Sequence, residues 1–215
     1  MFNCNSSNLA LIDNFVFNAV INVCDWTGVD CGWEGGTVQS INLSGSNLAT
    51  TIPSELGLLT ELKTLDLSNN LIIGTIPPEV AALPNLEEFI LLNNNLSGSL
   101  PKFASKNLRK LDLENNNLSG RIPPDIGYNH QEMNYFSLCT NSFSGTIPSS
   151  FGQMTKLETL GLSENQLYGE CYACVQACSN DADIDSFIYC LFIQYRFTPL
   201  RTWRSVSSAI PVCRQ

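Results

Sequence analysis

Apolar residues in this chain recur in a phrase that repeats about every 24 residues. In its clearest copy, Leu62, Leu65 and Leu67 are spaced by three and two residues, and the copy ends at Pro77. Six copies follow one another at intervals of 24, 24, 22, 25 and 24 residues, beginning at Val38, Leu62, Leu86, Leu108, Met133 and Leu157. Such a period predicts stacked turns, each of which buries its apolar side chains against the next.

The spacing within each copy predicts a short strand followed by an extended return. Apolar strand positions face inward, and the positions between them face outward. The polar residue three positions after the last apolar strand residue can bond backbone groups where the chain turns, so stacked copies would form a ladder: Asn70, Asn94, Asn116, Asn141 and Asn165, with Ser46 in the first copy. A glycine and a proline then favour a tight bend and a return that is not helical.

This pattern is that of leucine-rich repeats. It predicts an α/β solenoid with a parallel β-sheet on its concave face and a convex side of mostly extended or 3-10 segments. Before the repeats, residues 8–23 place apolar side chains on one face of a predicted helix. The next segment reads CDWTGVDC, from Cys24 to Cys31. A helix and a hairpin here would cover the open edge of the first repeat.

The cap and the repeats together resemble plant-type leucine-rich repeat proteins, which include receptor-like kinase ectodomains and polygalacturonase-inhibiting proteins. The cap matches C-x-W-x-G-V-x-C, and residues 108–123, LRKLDLENNNLSGRIP, match L-x-x-L-x-L-x-x-N-x-L-S-G-x-I-P almost letter for letter. The resemblance covers about residues 9–170. It implies a right-handed arc, a disulfide between Cys24 and Cys31, and a non-enzymatic protein- or peptide-binding module of receptor or inhibitor type.

We therefore divide the chain into three segments. Residues 1–36 form an N-terminal helical cap with the Cys24–Cys31 pair, residues 37–170 form six repeats, and residues 171–215 form a Cys-rich C-terminal cap with a basic tail. The cysteines of the last segment could ligate zinc by residue type, but their spacing favours disulfides: Cys171, Cys174, Cys178 and Cys190. Because the chain has nine cysteines, at least one is unpaired, and Cys139 is the candidate.

Composition and charge favour an extracellular or cell-surface location. Cysteines concentrated at the two ends suit an oxidising compartment. Four N-x-S/T sequons mark possible N-glycosylation sites: Asn5, Asn42, Asn95 and Asn117. The start of the chain lacks the pattern of a secretory leader, so we expect the leader to be missing from this chain. A net charge of −9 disfavours nucleic acid as a partner, and we expect no membrane insertion by this segment itself.

Nothing in the sequence marks a catalytic centre. His130, the only histidine, lies in the loop sequence GYNHQE, which predicts a solvent-exposed side chain. No G-x-S-x-G or kinase motif accompanies it. We expect the chain not to be an enzyme and to need no cofactor.

The outward strand positions carry the binding prediction. Most are small and polar, but Ile90, Leu92 and Tyr135 are not, and charged residues lie between them. We predict a ligand-binding patch on the concave face, called the concave patch below: Ile90, Leu92, Lys110, Asp112, Glu114 and Tyr135. The alternative is that these are ordinary scattered surface residues.

A second function class is a structural or surface-adsorbing protein that binds a polysaccharide or ice through a repetitive face. Thr51, Thr75 and Thr146 recur before Ile-Pro, but Ser99 and Arg121 interrupt this row. We therefore rank this alternative below ligand binding.

Overall fold

The computed structural model describes residues 23–32 and 36–168. Several predictions from sequence lie outside these residues: almost all of the N-terminal helix over 8–23, the sequon at Asn5, and the C-terminal segment 171–215 with its four cysteines. The division of the chain into three segments therefore stays a prediction.

Twelve short strands are present in the described part of the chain. They are β1 (Val29–Cys31), β2 (Val38–Asn42), β3 (Thr64–Asp66), β4 (Ile73–Gly74), β5 (Glu88–Ile90), β6 (Asn95–Ser99), β7 (Lys110–Asp112), β8 (Asn117–Gly120), β9 (Tyr135–Ser137), β10 (Ser142–Thr146), β11 (Thr159–Gly161) and β12 (Gln166–Tyr168).

The strands at the start of each repeat form one sheet in the order β1-β2-β3-β5-β7-β9-β11. Strand β1 pairs antiparallel with β2, and the later pairs are parallel and in register. The sheet is open and lines the concave face, so the predicted solenoid is confirmed. We call it the concave sheet.

The return segments form a second sheet, which the sequence analysis did not predict. Its order is β12-β10-β8-β6-β4, with all neighbours parallel. Consecutive turns follow the same path, so their extended backbones lie side by side and satisfy each other's hydrogen-bonding groups. We call this the lateral sheet.

The convex side carries only short helical turns in the described residues. Two are α-helical, α1 (Pro78–Ala81) and α2 (Ile126–Asn129). Three are 3-10 turns: Val23–Asp25, Ser54–Leu58 and Ser149–Gln153. A proline with extended backbone comes directly before three of these turns, at Pro53, Pro77 and Pro148. The predicted convex side of extended and 3-10 segments is confirmed.

The core runs continuously between the sheets and the convex turns. Inward strand residues such as Leu65, Phe89, Leu111 and Phe136 have no exposed surface. The phenylalanine rings also pack across the thickness of the solenoid: Phe136 meets Phe151 with ring centroids 5.2 Å apart. Each repeat thus buries its apolar side chains against its neighbours, as the period predicted.

The predicted asparagine ladder is present and connects neighbouring repeats. Asn94 is representative: its Nδ2 donates to the carbonyl oxygens of Leu67 at 3.0 Å and Leu91 at 3.1 Å. Its Oδ1 accepts from the backbone nitrogen of Ile72 at 3.0 Å. Because one buried amide satisfies backbone groups of two repeats, the ladder fixes the spacing of the turns.

The predicted disulfide between Cys24 and Cys31 is present and joins β1 to the 3-10 turn before it. Cys139 is free and buried, as predicted for the unpaired cysteine, within the part of the chain that the structure describes.

Candidate functional site on the concave sheet

Parallel pairing arranges the outward residues of the concave sheet in rows that run across the strands. One row contains Thr64, Glu88, Lys110, Tyr135 and Thr159. The next contains Asp66, Ile90, Asp112, Ser137 and Gly161. A third, just after the strands, contains Ser68, Leu92, Glu114, Cys139 and Ser163. The six residues of the concave patch therefore lie together on three neighbouring strands.

Tyr135 is held in place by its neighbour on β7. The Nζ of Lys110 lies 5.1 Å from the centroid of the tyrosine ring, within the range of a cation–π contact. Both side chains remain partly exposed. The contact orients an aromatic surface that a ligand can still reach.

Asp112 is a carboxylate buried in this surface, with 5% of its area exposed. Its Oδ1 accepts from the backbone nitrogen of Glu114 at 3.3 Å, and Tyr135 provides a side-chain hydrogen bond. Burial raises the pKa of Asp112, since the charged form is poorly solvated. Burial, followed by the charges of Asp112 and Glu114, raises the pKa of Tyr135 to about 12.

Glu114 is positioned by the next repeat, because the Oγ of Ser137 donates to its Oε2 at 3.2 Å. Gly161 makes room for Ser137 from the other side. A Cβ at Gly161 would lie 2.6 Å from the Oγ of Ser137 and 2.7 Å from the Sγ of Cys139. The glycine thus belongs to the packing of the concave face, a role that its position in the repeat did not indicate.

The outward positions are less exposed than the sequence analysis assumed. Ile90 exposes 8% of its area and Cys139 8%, while Ser68 and Ser137 are also buried. The reason is geometric: parallel strands lie about 4.8 Å apart, so a short outward side chain is shielded by both of its row neighbours. Of the apolar residues in the concave patch, Leu92 and Tyr135 offer more surface than Ile90.

The strands on the N-terminal side of the patch differ from it in chemistry. There Asp66 accepts from both the backbone nitrogen and the Oγ of Ser68, at 3.0 Å and 2.6 Å. Ser68 in turn lies 2.8 Å from the Oγ of Ser44. These polar groups satisfy one another, whereas the concave patch presents apolar and aromatic surface beside acids.

A second asparagine ladder, missed from the sequence, borders the concave sheet. Asn93 donates to Asn69 at 2.7 Å, and Asn115 donates to Asn93 at 2.9 Å. These residues directly precede the buried ladder and have φ between 54° and 56°, a region that asparagine tolerates better than most residues. Paired asparagines in successive repeats were the available signal. Thr140 and Glu164 occupy the same conformation with φ of 53°.

The prediction that His130 is solvent-exposed is wrong. Its side chain is 3% exposed, its Nδ1 donates to the carbonyl of Ser105 at 3.0 Å, and its ring packs edge-on against Phe103 with centroids 6.4 Å apart. Both partners belong to residues 102–106, the segment that is two residues short. The imidazole ring packs against this shortened turn and satisfies its carbonyl, so it is a structural residue of the convex side.

Two negative findings bear on the chemistry of the site. Within residues 23–32 and 36–168, no three His, Cys, Asp or Glu side chains are grouped so that they could hold a metal ion. In the same ranges no helix has the length and apolar character needed to cross a membrane.

The geometry defines a solenoid that presents one ordered, shape-specific surface. The comparisons with known proteins then identify its family. A model described as "Leucine rich repeat" matches residues 106–167, and a model described as "Leucine Rich repeats (2 copies)" matches residues 60–105. No curated protein sequence matches the chain significantly.

Solved structures with the same fold include ectodomains of plant receptor kinases. A chain of the BIR3–SERK2 complex from Arabidopsis thaliana has a TM-score of 0.63 and 33% identity, with 77% of this chain and 88% of that chain covered. The SOBIR1 ectodomain from Arabidopsis thaliana has a TM-score of 0.62 and 28% identity, with coverage of 78% and 97%. The Arabidopsis HAESA ectodomain, in complex with an N-terminally extended IDA peptide hormone, has a TM-score of 0.62 and 37% identity, with coverage of 67% and 25%. This chain belongs to the leucine-rich repeat family of the plant receptor-kinase type.

Proposed function

We propose that this chain is a non-enzymatic, extracellular protein- or peptide-binding module of receptor type. Its relatives support the class: one is an ectodomain bound to a peptide hormone, and another belongs to a complex of two proteins. The chain covers 88% and 97% of two of these structures but 25% of the HAESA ectodomain. This match in length favours a short ectodomain that binds a protein partner or shares a ligand with one.

The observation that carries the proposal is the contrast within the concave sheet. Leu92 and Tyr135 expose apolar and aromatic surface in the centre of the sheet. The rows toward β2 instead carry small polar groups that bond to one another. A partly exposed apolar centre with a polar surround is the usual composition of an interface core and rim. Aromatic anchors in such centres commonly contribute most of the binding energy.

The acids of the concave patch define the ligand chemistry. Asp112 is buried with few hydrogen-bond donors around it, and Glu114 lies one row away with its Oε2 bonded to Ser137. A positively charged or hydroxyl-bearing group of the ligand would supply the donors that these carboxylates lack. We propose a ligand segment that combines an apolar side chain, placed against Leu92 and Tyr135, with a neighbouring basic or hydroxyl group.

The test uses the full chain secreted from plant cells and a displayed library of short random peptides. Sequences selected by the unmodified chain should bind about tenfold or more weakly to the Leu92→Asp and Tyr135→Ala variants. Thr159→Ala is the matched control, because Thr159 lies in the same row as Tyr135 on the next strand. It should bind normally, and all variants should keep the melting temperature of the unmodified chain.

Selected peptides that bind the Leu92→Asp and Tyr135→Ala variants unchanged would overturn the concave-face model. A glycan array and an ice-recrystallisation assay test the alternative class. A positive result in either, with no selected peptide, would replace the proposal.

A further inference from the structure

The lateral sheet exposes a pair of large apolar residues at one edge. Leu71 exposes 56% and Ile73 51% of their areas, whereas later strands of this sheet present mainly asparagine and serine outward. The two residues are separated by one position, so both side chains project from the same face of the sheet. No side chain in the described structure covers them.

A sequon lies directly beside this apolar pair. Ile73 of β4 and Asn95 of β6 are Cα partners in the parallel pairing, so their side chains project side by side. Asn95 is exposed, and it begins the sequence Asn95-Leu96-Ser97. Its side-chain amide has no hydrogen-bond partner among the described residues, so it is available for modification.

We propose that an N-linked glycan on Asn95 covers the apolar edge formed by Leu71 and Ile73. In the transfer, the amide nitrogen of Asn95 bonds to C1 of an oligosaccharide carried on a lipid diphosphate. The bond between C1 and the phosphate oxygen breaks, the lipid diphosphate leaves with that electron pair, and the amide proton passes to a base of the transferring enzyme. The first sugar then lies within about 5 Å of Ile73, the spacing of adjacent strands.

The sugar chemistry suits the surface that it would cover. Pyranose rings carry C–H groups on their faces and hydroxyl groups at their edges, so a ring can lie on an aliphatic side chain and keep its hydroxyls in water. Two exposed branched aliphatic residues at a sheet edge would otherwise favour pairing with another chain. The glycan removes that edge from contact with water and with other proteins.

The same fold supplies an internal control at Asn117. This residue is also exposed and begins a sequon, and it pairs with Ser97 on the neighbouring strand just as Asn95 pairs with Ile73. A glycan on Asn117 would therefore lie beside serine rather than isoleucine. Its loss should expose no apolar surface.

The third described sequon lies in a different environment. Asn42 projects from the concave sheet, and its Oδ1 accepts from the backbone nitrogen of Ser44 at 3.1 Å. A glycan at Asn42 would occupy the concave face near the first repeat. It would leave the lateral sheet uncovered, so Asn42 cannot replace Asn95 in this role.

The inference rests on the extracellular location in the proposed function, and the test separates the two. The full chain is secreted from plant cells behind an added leader, and its glycopeptides are mapped by mass spectrometry. Asn95 should be occupied. The Asn95→Gln variant should raise the fluorescence of a dye that binds exposed apolar surface by about twofold or more. Asn117→Gln should leave the fluorescence unchanged.

A further variant shows which residues the glycan covers. Adding Leu71→Thr and Ile73→Thr to Asn95→Gln should return the dye signal to that of the unmodified chain, with circular dichroism confirming the fold. An unoccupied Asn95, or an equal dye response in the Asn95→Gln and Asn117→Gln variants, would overturn the inference. Peptide binding that depends on Leu92 should persist in Asn95→Gln, so either proposal can fail while the other holds.

Discussion

Lys110 places its ammonium group 5.1 Å from the centre of the Tyr135 ring on the neighbouring strand. The two residues are also Cα partners in the parallel pairing of β7 with β9. This arrangement couples a charge to the aromatic surface at the centre of the concave patch.

A double-mutant cycle measures that coupling. Lys110→Gln removes the charge and Tyr135→Leu removes the ring, and each single change should lower stability slightly. Their interaction energy should be about 0.5–1 kcal/mol, the range of a cation–π contact at an exposed site. Urea unfolding of the four proteins gives this value. Strictly additive effects would show that the contact does not orient Tyr135.

The core prediction concerns Leu111, which lies at the inward position of β7 with no exposed area. Leu111→Ala should lower the free energy of unfolding by about 2–5 kcal/mol, since it removes buried methyl groups and leaves a cavity. Glu88→Ala, at an outward position of the adjacent strand, should cost less than about 0.5 kcal/mol. Denaturant unfolding distinguishes the two, and comparable losses would contradict the inward and outward assignment.

Thr140 has a backbone conformation that a β-branched residue rarely adopts, with φ of 53°. In the three preceding repeats an asparagine occupies this position and bonds to its counterpart. Thr140→Asn should therefore raise stability by about 0.5–1 kcal/mol, by relieving strain and extending the edge ladder. The melting temperature reports the change. Thr64→Asn, outside the positive-φ region, should give no increase, and an unchanged melting temperature for Thr140→Asn would refute the strain argument.

The burial of His130 predicts a pH dependence of stability. Burial in the convex turn lowers the pKa of His130, although the Ser105 carbonyl and the charge of Asp125 partly oppose this. The unfolded chain then binds a proton more readily than the folded chain. Stability is therefore fully present above the unfolded pKa of about 6.5 and is lost as pH falls below it.

Urea unfolding at pH 7.5 and 5.5 tests this linkage. The unmodified chain should lose up to about 1.4 kcal/mol between these conditions from this one group. His130→Phe keeps a ring against Phe103 and cannot titrate, so its loss should be smaller. An identical decrease in both proteins would exclude His130 as the source.

The repeats, the buried asparagine ladder and the Cys24–Cys31 disulfide could be predicted because each depends on spacing that recurs in the sequence. His130 could not, because its burial depends on the length of a segment one repeat earlier. The exposure of Ile90 and Asp112 depends on row neighbours that are about 22 residues distant in the chain. The lateral sheet was missed because its strands have no apolar alternation of their own, apart from single inward residues such as Leu96 and Leu118.

The buried ladder has a consequence for how the concave sheet reads a ligand. It fixes the strands at about 4.8 Å, while an extended peptide advances about 3.3 Å per residue and presents every second side chain to one side, about 6.6 Å apart. A peptide that crosses the strands therefore meets them out of step. The centres of β5, β7 and β9 span about 9.6 Å, which is the length of about three extended residues. Recognition at the concave patch thus depends on a tripeptide-sized segment with a distinct side chain at each position, and a ligand that merely repeats one residue type cannot match the sheet along its length.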